Sequence, residues 1–191
     1  MSEVYQLPHQ EVSLSDFPCD EEWILDIGGG GEGIIGRLKG RQVVAIDRLR
    51  PELESIQSDA LKLIMDAREL QFLENSFGIV TIFFTLMYMS FEDLDTIFSE
   101  ISRVLMPGGE LLIWDVKVEV PDGLDSKIKY FIVPLSVTFP DGTRNETGYG
   151  AYLRNQDMES FVAVAAEHGF EVIEQEEHGL VFYARLILRK G

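Results

Sequence analysis

The sequence predicts an α/β chain built on a doubly wound, seven-stranded, mostly parallel sheet with an antiparallel last strand and an inserted β-hairpin. Three observations predict it. Short apolar runs alternate with helical patterns from Trp23 onward, a glycine cluster follows the first run directly, and Asp47, Asp66 and Asp115 close three of the later runs. Apolar runs separated by helices imply a parallel sheet, because each crossover helix covers a face and leaves the strands buried on both sides.

Trp23–Ile27 (WILDI) reads as the first strand and runs straight into GGGGEG. A helix over Gly33–Leu38 stops at Gly40, a residue suited to the left-handed C-terminal cap. Gln42–Ile46 is the second strand and ends on Asp47; Pro51 then opens a short helix reaching Gln57, since proline fits the first helical turn. Leu61–Met65 is the third strand, ending on Asp66, and Ile79–Phe84 the fourth, ending at Thr85. Ser90 and Asp93 make a capping-box-like start for a helix whose Leu94, Ile97, Phe98, Ile101, Val104 and Leu105 recur on one face. Pro107-Gly108-Gly109 is expected to end it, and Glu110–Trp114 to form the fifth strand before Asp115. Ile128–Phe139 and Thr143–Leu153 flank Pro140-Asp141-Gly142 as a hairpin. Asp157–His168 reads as a helix closed by Gly169, and Phe170–Glu177 and Leu180–Leu188 as the last two strands, turning at His178-Gly179. The chain is expected to be one domain, with an N-terminal segment over 1–22 and the inserted hairpin within 116–155.

Composition narrows the partners. The 191 residues carry 33 acidic and 16 basic side chains, a formal net charge of -17, with the Lys and Arg residues scattered. Such a surface repels phosphate backbones and anionic membranes, so no nucleic acid and no membrane is expected as a partner. The one cysteine, Cys19, excludes an intrachain disulfide and a thiolate zinc cluster, and no metal site is expected. The N-terminus lacks the basic start and apolar core of a signal peptide, and the longest apolar run, Ile79 to Met89, falls short of the ~20 residues of a membrane span. A cytoplasmic location is the expectation.

Ligands of open α/β sheets bind beyond the carboxyl ends of the strands. Glycines there let the chain turn sharply and bring bare backbone against a ligand. Asp47 lies 19 residues beyond Gly28, where a carboxylate can accept hydrogen bonds from both hydroxyls of a ribose. A cofactor built on adenosine follows. A tight turn without a ligand is the plain alternative for the glycines, and a helix cap or a solvated loop position for each aspartate; their joint placement at strand ends favours a site.

With these residues in view the chain resembles the class I S-adenosylmethionine-dependent methyltransferases, a family with a Rossmann-like fold. WILDIGGGGEG resembles the first motif of that family, VVAID the ribose-binding strand, LIMDAREL the adenine-binding segment, FGIVTIFFTLMYM the fourth-strand motif and RVLMPGGELLIWD the helix–turn–fifth-strand motif. The resemblance is close over residues 20 to 115 and looser beyond. It implies S-adenosylmethionine as cofactor, with S-adenosylhomocysteine as product. It implies contacts from Asp26, Gly28, Gly29, Gly30, Gly31, Gly33, Asp47, Arg48, Asp66, Ala67 and Thr85, Asp66 taking the exocyclic amine of adenine. Three departures stand out. The third glycine of the motif falls on Glu32, unless the alternation is counted through Gly29, Gly31 and Gly33; Gly78 replaces an acidic residue; Met87 stands where many small-molecule members carry a histidine.

Methyl transfer from a sulfonium needs positioning and desolvation, and a base only when the acceptor must lose a proton. Asp115, Tyr88 and His9 are the candidates for such a role; His168 and His178 fall at a helix end and in a turn. Tyr149 and Tyr152, on the inserted hairpin, are expected to shape a small-molecule acceptor pocket, in the manner of the ubiquinone/menaquinone-type branch, or a homodimer contact. Two other classes share part of the pattern. A nicotinamide-dependent oxidoreductase shares the glycines and Asp47, but not Asp66-Ala67 or the Pro-Gly-Gly turn; a non-catalytic S-adenosylmethionine-binding module shares the whole cofactor pattern.

Overall fold

The structure, a computed structural model, describes residues 4–19 and 22–189. Parts of the predicted N-terminal segment, residues 1–3, 20 and 21, lie outside the described residues. The segment's described part forms two short strands, β1 (Val4–Gln6) and β2 (Gln10–Ser13). Then follow β3 (Ile24–Ile27), α1 (Ile34–Lys39), β4 (Val43–Asp47), α2 (Arg50–Ser55), β5 (Leu61–Ile64) and β6 (Phe77–Phe83). The second half runs α3 (Phe91–Val104), β7 (Leu105–Val116), β8 (Tyr130–Thr138), β9 (Arg144–Tyr152), α4 (Met158–Glu167), β10 (Phe170–His178) and β11 (Val181–Leu188).

The main sheet has seven strands in the order β10-β11-β7-β6-β3-β4-β5. All neighbours from β7 to β5 are parallel, and β11 is antiparallel to both β7 and β10. The chain leaves β3 towards β5 on one side and returns through β6 towards β11 on the other. The strand order therefore reverses beside β3, which makes a crevice at the strands' carboxyl ends. β6 is buried at every position, as a central strand covered on both faces must be. On one face Leu94, Ile97, Phe98 and Ile101 of α3 and Phe161 and Ala165 of α4 pack on the sheet. Ser90 and Asp157 cap these two helices, accepting from the N–H groups of Asp93 and Ser160.

Two features depart from the sequence prediction. Pro107-Gly108-Gly109 does not separate helix from strand: α3 ends at Val104, Leu105 is already extended, and the Pro-Gly-Gly segment is a bulge inside β7. The pairing of β6 with β7 jumps from Phe77↔Leu105 to Ile79↔Glu110 there. Gly108 takes φ +77°, and a Cβ on Gly109 would stand 2.9 Å from the Gly78 carbonyl oxygen, so the bulge needs glycine at both places. Gly78, where an acid was expected, thus faces a backbone too close for any side chain on its partner.

The second departure concerns the hairpin. It is the centre of a second sheet rather than an appendage. β9 pairs with one edge of β8 from Tyr130↔Tyr152 to Thr138↔Arg144, while β1 and β2 pair in parallel along its other edge. Phe131, Val133, Leu135 and Val137 of β8 pack with Ile34 and Ile35 of α1 and with Trp114 and Val116 of β7. The second sheet thus covers the main sheet's other face beside α1 and roofs the crevice. Val12 and Leu14 alternating with Glu11 and Ser13 carried the signal for β2, which Pro8 and His9 separate from β1.

Candidate functional site

A cavity of about 620 Å³ opens at the carboxyl ends of β3, β4, β5 and β6, between the glycine loop and the β8–β9 hairpin. Of the residues the sequence put at a cofactor site, Asp26, Gly28, Gly29, Gly30, Gly31, Asp47, Arg48, Asp66, Ala67 and Thr85 all line it. Gly33 does not. It caps α1 with φ +57°, and a Cβ there would meet Ile56 Cγ2 at 2.3 Å, so its role is to let α1 pack on α2. Gly28, Gly29 and Gly30 all face the cavity with tight neighbours, a Cβ on Gly29 standing 2.5 Å from Asp26 Oδ2, whereas one on Gly31 would meet nothing nearer than 3.6 Å. A Cβ on Gly28, at φ +69°, would stand 2.3 Å from Thr85, and one on Gly30 would stand 2.6 Å from Asp47 Oδ2.

Below the loop, Asp26 is buried in the middle of the sheet and accepts a hydrogen bond from Thr81 Oγ1 at 2.8 Å. Burial pushes its carboxyl up to about 7, the Thr81 hydroxyl opposing and the Asp47 charge adding to the rise. A cation arriving in the cavity would favour its ionised form. At the end of β4, Asp47 Oδ1 accepts from the Leu49 N–H at 2.8 Å, which fixes the carboxylate; Oδ2 makes no hydrogen bond among the described residues.

Asp66, beyond β5, is less simple than the sequence implied. Its Oδ1 accepts from Arg68 N at 2.9 Å and Arg68 Nε at 3.1 Å, and its Oδ2 from Arg68 Nη2 at 2.7 Å. These bonds hold the carboxyl below its ordinary range. Arg68 reaches on to Asp93 at the start of α3, at 3.4 Å. Oδ1 is then saturated, while Oδ2 keeps a lone pair for one further donor. Arg68 was missed from the sequence, although it stands only two residues after Asp66.

The roof is assembled from distant parts of the chain. Tyr149 of β9 stacks on Phe84, ring centroids 5.4 Å apart, and donates from its hydroxyl to Glu32 Oε2 at 3.0 Å. Thr147 donates to Glu32 Oε1, so the residue replacing the third glycine fastens the loop to the hairpin. Tyr130 and Tyr152, with centroids 4.7 Å apart, line the outer part of the cavity. Phe84 holds φ +48°, an uncommon conformation for a bulky residue, fixed by its N–H donating to the Trp114 carbonyl at 2.7 Å.

The three candidate catalytic residues part company. Tyr88, in the 3-10 turn Leu86–Tyr88, lines the cavity, and its phenol is pushed up to about 12, chiefly by desolvation. Asp115 is fully buried and does not line it. It accepts from Val116 N at 2.8 Å, Met87 N at 3.2 Å and Gln156 Nε2 at 3.3 Å, and desolvation raises its carboxyl to about 7 against those bonds. It holds the turn that carries Tyr88. His9 also lies outside the cavity lining, hydrogen-bonded through Nε2 to Ser136 Oγ at 2.8 Å in the second sheet.

An open α/β sheet with a reversal crevice, bare glycine backbone and a positioned acid after the second core strand defines a class: proteins that bind an adenosine-type cofactor at strand ends. Comparison with known proteins gives the particular family. Residues 25–113 match the family described as "Methyltransferase domain". The ubiquinone/menaquinone biosynthesis C-methyltransferase of Dinoroseobacter shibae is 28% identical over 177 residues, covering 82% of this chain and 69% of that protein. Among solved structures, a SAM-dependent methyltransferase from Methanosarcina mazei superposes with a TM-score of 0.64 at 17% identity, over 93% of this chain and all of that one (100%). The [4+2]-cyclase SpnF superposes with a TM-score of 0.59 at 18% identity, over 89% of this chain and 75% of that one. Residues 25–113 are a methyltransferase domain by that match, and the likenesses in sequence and fold to S-adenosylmethionine-dependent methyltransferases point to S-adenosylmethionine as the cofactor. Among the described residues no helix is long and apolar enough to cross a membrane.

Proposed function

We propose that this methyltransferase holds S-adenosylmethionine along the floor of the cavity and a small-molecule acceptor under the hairpin roof. The observation that carries this is the single cavity running from Gly28 and Asp47 to Tyr88 and Tyr149. Asp47, with Oδ2 turned to the cavity, takes the ribose hydroxyls; the remaining lone pair of Asp66 Oδ2 and the backbone of Ala67 take the adenine edge. Gly28 and Gly30 let the chain approach the methionine part, and Asp26, Gly29, Gly31, Arg48 and Thr85 complete the wall. The cofactor supplies an already activated methyl group, so the chain's task is to align the acceptor and exclude water. Tyr88 and Tyr149 supply apolar faces and hydroxyls for that purpose. Asp115 acts from below, by fixing the turn of Tyr88. The similarity to a quinone-pathway C-methyltransferase supports a small organic acceptor rather than a macromolecule. The charge of -17 supports a protein that keeps clear of nucleic acid and membranes, free in the cytoplasm.

Calorimetric titration with S-adenosylmethionine, S-adenosylhomocysteine and NADH tests the floor. Saturable binding of both sulfur compounds and none of NADH is expected. Asp47→Ala should weaken both about a hundredfold, since hydrogen bonds to a charged group contribute about 1.5–3 kcal/mol each. Absence of binding by the unaltered protein would overturn the assignment of the cavity.

A further inference from the structure

The two halves of the cavity differ in their charged groups. On the floor, Arg48 and Arg68 both stand at the Asp66 end, within reach of its carboxylate. Under the roof, the lining from Tyr130 to Tyr152 and from Tyr88 contains no lysine or arginine among the described residues. What the roof does contain is Glu32. Its carboxylate is half-buried, receives one hydroxyl hydrogen bond on each oxygen, from Thr147 and Tyr149, and pairs with no cation among the described residues. Each oxygen therefore keeps a lone pair. Those lone pairs face the cavity and can accept charge-assisted hydrogen bonds from a cationic donor bound there. The rings around it point the same way, because tyrosine faces attract ammonium groups. The surplus of 33 acidic over 16 basic residues steers cations to the molecule and anions away from it.

We infer that the acceptor is an amine, bound as its ammonium form between the tyrosines of the roof with Glu32 as its anchor. This deepens the proposed function and rests on it. A carboxylate or phosphate acceptor would face Glu32 with nothing to neutralise it. An ammonium has no lone pair, so it must first release a proton, to Glu32 and onward to solvent through the open cavity mouth. The freed nitrogen pair then forms the N–C bond as the S–C bond breaks, with that bond's electrons remaining on sulfur. The balance needs no further reactant: one proton leaves, one methyl moves, and the products are a thioether and a methylated ammonium.

Three probes sharing a phenyl ring and a short chain separate the possibilities: phenethylamine, 2-phenylethanol and 3-phenylpropionate. They are titrated into the protein saturated with S-adenosylhomocysteine. The ammonium should bind about tenfold tighter than the carboxylate, with the alcohol between them. Glu32→Gln keeps the shape and, with one of the two hydroxyls turned to accept from the new amide, both partners; it should erase most of that preference while leaving S-adenosylhomocysteine affinity within about threefold. Equal or tighter binding of the alcohol or the carboxylate would overturn the inference, as would binding of none of the three. A preference that survives Glu32→Gln would also overturn it. So would a tenfold loss of S-adenosylhomocysteine affinity in that variant, which would make Glu32 an anchor for the cofactor's own ammonium. The head-group series on the unaltered protein stands even if the variant fails to fold. Failure to bind S-adenosylhomocysteine at all would be a different result, since it removes the cofactor assignment itself.

Discussion

The floor and the roof of the cavity are built by opposite means. On the floor, the bonds that fix the two acids at the ends of β4 and β5 are local: Asp47 is set by Leu49, and Asp66 by Arg68, both two residues away; Asp26 alone is held from afar, by Thr81 within the sheet. In the roof they span the chain, Glu32 meeting Tyr149 across 117 residues and His9 meeting Ser136 across 127. The floor is a property of strand ends in a parallel sheet, so any chain with the same sheet and glycine turn tends to reproduce it. The roof depends on two extra segments, at residues 4–14 and 130–152, finding each other and then finding the glycine loop. A family can therefore keep one cofactor site while the acceptor site is rebuilt. The likeness in fold to a protein named as a cyclase is in keeping with that freedom.

The sharpest way to break the floor without touching the roof is Gly28→Ala. The added methyl would stand 2.3 Å from Thr85 on a backbone at φ +69°, so both a clash and backbone strain must be relieved. Strain of this kind costs about 1–3 kcal/mol by itself. Affinity for S-adenosylmethionine should fall by a hundredfold or more in calorimetry, with far-ultraviolet circular dichroism unchanged. A variant that binds normally would show that the loop relaxes, and that this end of the floor is less rigid than its geometry implies.

That contrast also decides what could be read from the sequence. The strands, their carboxyl-terminal acids and the two long helices were legible because periodicity, caps and turn residues are local signals. The same holds for the floor, where every cofactor-site residue named from the sequence except Gly33 lines the cavity. Gly33 stands apart because a glycine required for packing on Ile56 looks the same in sequence as one that faces a cavity. The Pro-Gly-Gly segment misled for a related reason: the residues that end helices also make bulges, and only the pairing of β6 with β7 tells them apart. The N-terminal strands and the Glu32 fastening were hidden because their partners are far along the chain. No local pattern says that Glu32 will meet Thr147 and Tyr149.

Asp115 joins the two halves, and its raised carboxyl makes pH the way to read how tightly. Its folded-state pKa, about 7, lies above the ordinary 3.8, so the native state holds more protons than the unfolded chain between those values. Its contribution is therefore most favourable below about pH 4 and is lost as pH rises to about 7, where the buried carboxyl ionises with only Arg154 nearby to offset the charge. Asp26 titrates in the same direction over the same range. The thermal midpoint of the unaltered protein should thus decline between pH 5 and pH 8. Asp115→Asn removes one of the two titrations and should flatten the decline by about half. It should also lower stability at pH 5 by about 1–3 kcal/mol, because the amide cannot accept from Met87, Val116 and Gln156 together. Scanning calorimetry across the range reads both effects. An unaltered slope would mean that Asp115 stays ionised in the fold, and that the Tyr88 turn rests on a charge rather than on a neutral carboxyl.

The smallest effect is expected at Arg68, whose contacts look the most elaborate on the floor. It grips Asp66 through three nitrogens and reaches Asp93, yet it stands on the exposed rim of the cavity, where water screens such pairs. Two consequences of Arg68→Gln oppose each other. Asp66 loses a partner that orients it, but regains lone pairs for the adenine amine. Affinity for S-adenosylhomocysteine should therefore change by less than about threefold at ordinary ionic strength, and the difference from the unaltered protein should shrink further at about 0.5 M salt. A tenfold loss that persists in salt would place the guanidinium against the adenine itself. The floor would then depend on a side chain beyond the strand-end acids and glycines, and would be less independent of its surroundings than the comparison with the roof makes it.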